Sequence, residues 1–216
     1  MKNNFKNLTG LIIGCGSIGK RHLYNLKNLG VKDLSIFDKD KKLLDLVSKK
    51  YSVKKFNDLQ TALSFKPDFS VICTFPNSHI QIANHCIKSN SNIFIEKPIS
   101  FDMKGVMSML NIAKSKNLKV AIGYNLRFDK GLNLLKKKIQ QRVIGAPISI
   151  LIKFGHNIQF WRPGTNYKNH YILRKGGGII LDGSHEYDYL RWLFDDKVKS
   201  VYCQTRKKCN IKTQTE

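Results

Sequence analysis

The sequence predicts an α/β fold: a doubly wound parallel sheet at the N-terminus, followed by an incomplete α+β domain with an open sheet. Three observations predict it. The apolar run Leu11-Ile12-Ile13 breaks into Gly14-x-Gly16-x-x-Gly19, and the next apolar run ends on an acidic residue, Asp38. Short β-branched and apolar segments then alternate with segments of helical spacing as far as residue 122. Beyond Gly123 the rhythm changes to longer, less regular segments.

The first strand is expected at Leu8–Ile13, and each glycine after it has a mechanical reason. Gly14 permits a tight turn out of the strand, Gly16 lets backbone approach a diphosphate, and Gly19 lets the following helix pack closely on the sheet. That helix, about Ser17–Leu29, carries Ile18, Leu23, Leu26 and Leu29 at roughly helical spacing and stops at Gly30. Its N-terminus offers free N–H groups and a positive dipole end to phosphates. A second strand, Asp33–Phe37, leads to Asp38, whose carboxylate can accept both ribose hydroxyls of an adenosine. Strand, turn, helix, strand and acid in this order form a dinucleotide fingerprint. Gly14, Gly16, Ser17, Ile18, Gly19 and Asp38 are therefore expected to hold the cofactor. Asp38 favours NAD, while Lys39, Lys41 and Lys42 just beyond it leave NADP open.

A Lys-rich helix with Leu43, Leu44 and Val47 on one side comes next, then a short strand at Val53–Phe56 and a helix opening at Asp58-Leu59. A buried-type strand is expected at Asp68–Thr74, a helix over 76–89, a strand at Asn92–Ile95, a helix at about Asp102–Ser115 and a strand at Lys119–Ile122. Residues 1–122 thus form a dinucleotide-binding domain and 123–216 a partial α+β domain for substrate and oligomerisation. In the second region a helix is expected at Lys130–Gln141, strands at Ile148–Phe154 and Val198–Arg206, and a helix at about Leu181–Phe194.

A formal charge of +23 invites a nucleic-acid reading, because clustered Lys and Arg release counterions from phosphates. Here the basic residues are mostly Lys and are spread along the chain, which argues against a specific nucleic-acid partner and suits a general attraction for anionic ligands. Five cysteines without a CxxC pairing argue against a disulfide framework or a metal site and suit a reducing cytoplasm. Lys2 and Lys6 ahead of Leu11–Cys15 imitate a lipoprotein signal, but Thr9 and Gly10 interrupt the apolar stretch. No run approaches membrane-spanning length.

Three clusters fall just beyond expected strand ends or at a helix start: Thr74-Phe75-Pro76-Asn77-Ser78-His79, Glu96-Lys97-Pro98, and Gly176-Gly177-Gly178 with Asp182, His185 and Asp188 near Trp192. Each alone has a bland alternative as a turn, a solvated loop or a helix start. Asp182 and His185, three apart, could share a helical face and bond each other. Together with GCGSIG and GYNLRF, these motifs resemble the glucose–fructose oxidoreductase, inositol dehydrogenase and rhizopine-catabolism family (Gfo/Idh/MocA), in the expected order along nearly the whole chain.

The resemblance implies a Rossmann domain and an NAD(P)-dependent oxidoreductase that transfers a hydride between nicotinamide and a sugar, cyclitol or nucleotide-sugar hydroxyl or carbonyl. It implies Lys97, Asp182 and His185 as catalytic residues. Lys97 would hydrogen-bond the reacting oxygen, His185 would accept its proton, and Asp182 would orient the substrate or the histidine. Thr74, Pro76, Asn77, Glu96 and Lys97 would line the cofactor, with Asn125 and Arg162 near nicotinamide or substrate. The implied partners are a small sugar or polyol and, through a completed second-domain sheet, further copies of the chain. The histidine follows the aspartate by three residues, where many family members have four. Family members also continue well past residue 216, so the sequence reads as a fragment or truncated product. The alternative reading is a non-catalytic NAD(P)-binding regulator or an inactive fragment.

Overall fold

In a computed structural model of the chain, the structure describes residues 5–155, 157, 160, 173, 177–195 and 197–206. The chain divides into two compact units, Met1–Gly123 and Tyr124–Glu216. The first is built on six parallel strands: β1 (Thr9–Ile13), β2 (Asp33–Phe37), β3 (Lys54–Phe56), β4 (Phe69–Ile72), β5 (Asn92–Ile95) and β6 (Val120–Ile122). Their order is β3-β2-β1-β4-β5-β6. Ile13 pairs with Phe37 on one side and Ile72 on the other. Strand order reverses between β1 and β4, and the crevice beyond their carboxyl ends is where ligands bind in such sheets.

Five helices cover both faces: α1 (Ser17–Asn28), α2 (Lys41–Tyr51), α3 (Leu59–Ser64), α4 (His79–Lys88) and α5 (Val106–Ser115). Alternation along the strands decides which face each side chain serves. Leu11, Ile13, Ile72 and Ile95 pack in one layer with Leu63, Ile82, Ala83, Cys86, Ile87 and Met109. Ile12, Leu34, Ile36 and Val71 pack in the other with Leu23, Leu44 and Val47. Burial on both sides explains why these strands read as continuous apolar runs. Local chemistry sets the helix ends. Asp40 accepts the Leu43 N–H at 3.1 Å and Asp58 accepts that of Thr61 at 2.8 Å, capping α2 and α3.

The helix expected from Asp102 starts instead at Val106. Gly105 has φ +76°, outside helical space, so the preceding residues turn rather than coil. Likewise, residues 76–89 divide into a 3-10 turn, Pro76–Ser78, and α4.

The second unit has a 3-10 turn, Asn125–Phe128, then α6 (Lys130–Gln140), α7 (Ile179–Asp182) and α8 (Ser184–Phe194). Asp129 caps α6 by accepting the Leu132 N–H at 2.9 Å. The expected strands at Ile148–Phe154 and Val198–Arg206 do not form: these segments have no strand assignment, and Ile148 is 100% exposed and Tyr202 89%. A strand is a pairing, and alternation in one segment cannot supply the neighbour whose carbonyls and amides complete the ladder. The expected helix to Phe194 is likewise two pieces, broken at Gly183. Among the described residues, no helix is long and apolar enough to cross a membrane.

Candidate functional site

Two of the three fingerprint glycines are demanded by the protein itself. Gly14 has φ +98°, and a Cβ there would lie 2.8 Å from the backbone carbonyl of Cys73. A Cβ on Gly19 would lie 1.9 Å from the Gly14 carbonyl oxygen, because the first turn of α1 rests on the loop out of β1. Gly19→Ala is therefore expected to lower the unfolding free energy by about 3 kcal/mol, the upper end for overpacking, as read by urea melts. Gly16 differs. A Cβ there would meet nothing within 4 Å, and its φ of −64° is open to any residue. Among the described residues nothing requires glycine at this helix start.

Asp38, at the carboxyl end of β2, accepts the Cys15 N–H on Oδ2 at 2.6 Å and the Asp40 N–H on Oδ1 at 2.8 Å. These two bonds fix the carboxylate beside the glycine loop and leave each oxygen capacity for a further donor. Cys15 itself packs inward. Burial, with Asp38's charge adding, pushes its thiol up to about 12, and burial raises Cys73 as well. Both are thiols rather than thiolates at neutral pH and have no nucleophilic character there.

Thr74, Pro76 and Asn77 leave β4, with Pro76 buried and Asn77 exposed, and Ser78 Oγ donates to Thr74 Oγ1 at 2.8 Å. Glu96, Lys97 and Pro98 leave β5 as the next turn, and the Lys97–Pro98 peptide is cis. Between the turns stands His79, 1% exposed, the first residue of α4. Its Nδ1 lies 3.0 Å from the Pro98 carbonyl oxygen and its Nε2 3.0 Å from that of Thr74. Both are acceptors, so each contact is a hydrogen bond only while the facing nitrogen carries a proton. Burial pushes the His79 pKa below the ordinary histidine value; the carbonyls of Thr74, Pro98 and Ile99 and the charge on Glu96 oppose that shift.

Below about pH 6.5 an unfolded histidine takes up a proton that the folded one resists, so the stability His79 contributes falls as pH falls through that window. Urea melts from pH 7.5 to 5 are expected to lose stability in the wild type, with a shallower decline in His79→Gln. Equal slopes for the two proteins would contradict this.

Glu96 is held from another direction. His22, on α1, lies with Nε2 2.6 Å from Glu96 Oε1, and the Lys97 N–H donates to Oε2 at 3.3 Å. The sequence reading assigned no role to His22, and His79 entered it only as the end of a motif. His22 and Glu96 are 74 residues apart, and of the two carbonyls facing His79 that of Pro98 is 19 residues away and that of Thr74 five.

In the second unit Asp182 is buried at the end of α7, and His185 sits one residue into α8. The helix expected to run on from Leu181 breaks at Gly183, between the two residues. Asp182 Oδ2 and His185 Nδ1 are both shielded from solvent. Tyr124 meets the His185 ring edge-on at 5.8 Å, and burial raises the Tyr124 phenol, with Asp188 adding and Arg127 opposing. Asp188 forms a fork with Arg127, at 2.8 Å to Nε and 2.5 Å to Nη2, tying the 125–128 turn to α8. Asp188 thus has a structural partner. Tyr124 and Arg127 were also missed as supports, although GYNLRF pointed to their segment. Asn125 is exposed on that turn. Arg162 and Gly176 lie outside the described residues.

Gly14, Gly16, Ser17, Ile18, Gly19, Asp38, Thr74, Pro76, Asn77, Glu96 and Lys97 all follow the carboxyl ends of strands in one sheet, whereas Asn125, Asp182 and His185 belong to the other unit. The first-unit set fits a dinucleotide: an open glycine at a helix start for the diphosphate and a fixed carboxylate at the end of β2 for the ribose.

Comparison with known proteins gives the same reading. Residues 8–124 match the family described as "Oxidoreductase family, NAD-binding Rossmann fold", and 132–215 match the GFO/IDH/MocA C-terminal domain. The chain is 29% identical over 195 residues to myo-inositol 2-dehydrogenase of Thermotoga maritima, covering 88% of this chain and 56% of that protein. It is 26% identical over 200 residues to the inositol 2-dehydrogenase/D-chiro-inositol 3-dehydrogenase of Lacticaseibacillus casei, covering 88% and 54%. The chain thus spans about half the length of the curated relatives it matches. A crystal structure of myo-inositol dehydrogenase from Lactobacillus casei in complex with NAD(H) and myo-inositol shares the fold, with TM-score 0.70 and 21% identity over 88% of this chain and 55% of that one. The chain belongs to the Gfo/Idh/MocA oxidoreductase family, with an NAD-binding Rossmann domain at its N-terminus.

Proposed function

We propose that this chain takes part in NAD-dependent oxidation or reduction at a CH–OH carbon of a cyclitol or sugar. The supporting observation is Gly16: an uncrowded glycine at the start of α1, next to a carboxylate fixed by two backbone amides. That carboxylate favours free ribose hydroxyls over a 2′-phosphate, hence NAD over NADP. The names of the Thermotoga and Lacticaseibacillus relatives support the cyclitol class.

When bound, NAD supplies the hydride acceptor or donor. The protein residues do the rest. Lys97 donates a hydrogen bond to the reacting substrate oxygen and stabilises the negative charge that develops there. In the oxidative direction the His185 imidazole takes the hydroxyl proton as the C–H hydride leaves, and it returns that proton in reduction. Asp182 orients the imidazole or the substrate. Thr74, Pro76, Asn77 and Glu96 shape the cofactor's surroundings, with Asn125 and Arg162 near nicotinamide or substrate. The test is a fluorescence titration with NADH, followed by a screen of inositols, sugars and nucleotide sugars for NAD reduction. NADH binding with turnover of a polyol supports the proposal. Binding without turnover of any of them supports the non-catalytic reading, and absence of binding overturns both.

A further inference from the structure

We propose that His22 and His79 are positioning residues that hold the Lys97 turn from its two sides. The inference rests on the role proposed for Lys97 and adds how that lysine is kept in place. Glu96-Lys97-Pro98 is irregular chain leaving β5, and a lysine side chain on such a turn has many rotamers. Its main chain is nevertheless tied at both neighbours. On the amino side, Glu96 Oε1 accepts from His22 at 2.6 Å, while Oε2 accepts the Lys97 N–H at 3.3 Å. The His22 ring is oriented by an edge contact with Phe94, 5.1 Å between centroids. A Cβ on Gly123 would come within 3.2 Å of the Glu96 carboxylate, so the chain leaving β6 closes off a third side.

On the carboxyl side, the Pro98 carbonyl faces His79 Nδ1, and Nε2 of the same ring faces the Thr74 carbonyl. The neutral imidazole carries one N–H, so it donates to one of these carbonyls and packs against the other, filling the space between the turns after β4 and β5; a second side chain joins the glycine-loop helix to the end of β5. The helix of the diphosphate loop, the turn bearing Thr74 and the turn bearing Lys97 are held in register by two rings. Neither ring has to touch the reacting atoms. A misplacement of about 1 Å at a reacting group can lower a rate about 10²-fold, which is the effect these bonds oppose.

The test uses the full chain with His22→Phe, His22→Gln, His79→Leu and His79→Gln, and His85→Gln as a control, since His85 bonds Gln60 on an exposed surface. Phenylalanine keeps the ring against Phe94 and loses the donor to Glu96; glutamine keeps a donor and loses the ring. Three quantities are read: NADH affinity, kcat and KM with the polyol that the screen identifies, and the rate and pH profile of Lys97 acetylation by acetic anhydride, followed by peptide mass. In His22→Phe and His79→Leu, kcat is expected to fall about 10- to 100-fold with KM changed less than about threefold, and the rate of Lys97 acetylation changes relative to that of Lys114. His22→Gln recovers most of both quantities, His79→Gln recovers part, and His85→Gln matches wild type.

If His22→Phe behaves as wild type while His22→Gln is impaired, ring packing matters rather than the bond, and the inference is overturned. An unchanged Lys97 acetylation profile in all four variants overturns it too. If wild type neither binds NADH nor turns over but the Lys97 profile still responds to His22→Phe, the oxidoreductase reading fails and the positioning role stands. Should His79→Leu not fold, the glutamine variants and the His22 pair still decide.

Discussion

Lys97→Ala is expected to lower kcat by about 10²- to 10³-fold, the range seen when one donor to a developing oxyanion is removed. The affinity for NADH should change little in the same variant. The diphosphate and ribose contacts proposed here come from the loop after β1 and from Asp38, and the turn after β5 keeps its backbone bonds to Glu96 and His79. The substitution removes an ammonium from a half-buried position and does not touch the apolar layers beneath. A steady-state assay beside an NADH titration checks both halves. Equal turnover in Lys97→Ala and wild type would remove the lysine from the chemistry. A parallel loss of NADH binding would move its role from transition-state stabilisation to cofactor binding.

Gly16→Val should act the other way, on binding rather than on the chemical step. A Cβ on Gly16 meets nothing within 4 Å among the described residues, so the added side chain starts in open space. The expected loss of stability is about 1 kcal/mol, that of replacing glycine by valine at an N-cap position. NADH affinity should fall at least about 100-fold, or about 2.8 kcal/mol, because the methyl groups occupy the approach to the free amides of α1. Gly19→Ala gives the contrast: its Cβ would strike the Gly14 carbonyl oxygen, so that variant loses stability first and affinity only as a consequence. A Gly16→Val protein that bound NADH normally would show that the cofactor does not approach this loop.

Much of the first unit was readable because its signals are local. Although a Cβ on Gly14 would also strike the distant Cys73 carbonyl, the positive φ at Gly14 and the packing of Gly19 on the Gly14 carbonyl are matters of short spacing. The same holds for the caps at Asp40, Asp58 and Asp129, where a side chain bonds an amide three residues on. The helix expected from about Asp102 starts at Val106 for a local reason too: Gly105 takes a positive φ that helical periodicity does not reveal. In the second unit, alternating apolar residues at 148–154 suggested a strand, yet alternation reports a preference for a pleated face and not the presence of a neighbour.

By itself, then, the sequence determined the strand and helix rhythm of residues 9–122, the glycine turn, the acid at the end of β2 and the family motifs, since each depends on short spacing or on residue identity. Only the tertiary structure decided that Glu96 is gripped by His22, that His79 lies between the turns of Thr74 and Pro98, that Asp188 is occupied by Arg127, and that the helix breaks at Gly183. The bonds His22–Glu96 and Arg127–Asp188 join positions 74 and 61 residues apart, and His79 faces a carbonyl 19 residues on. Hydrogen-bond direction and distance arise when separate strands and helices are brought together, and no pattern within a single segment specifies them.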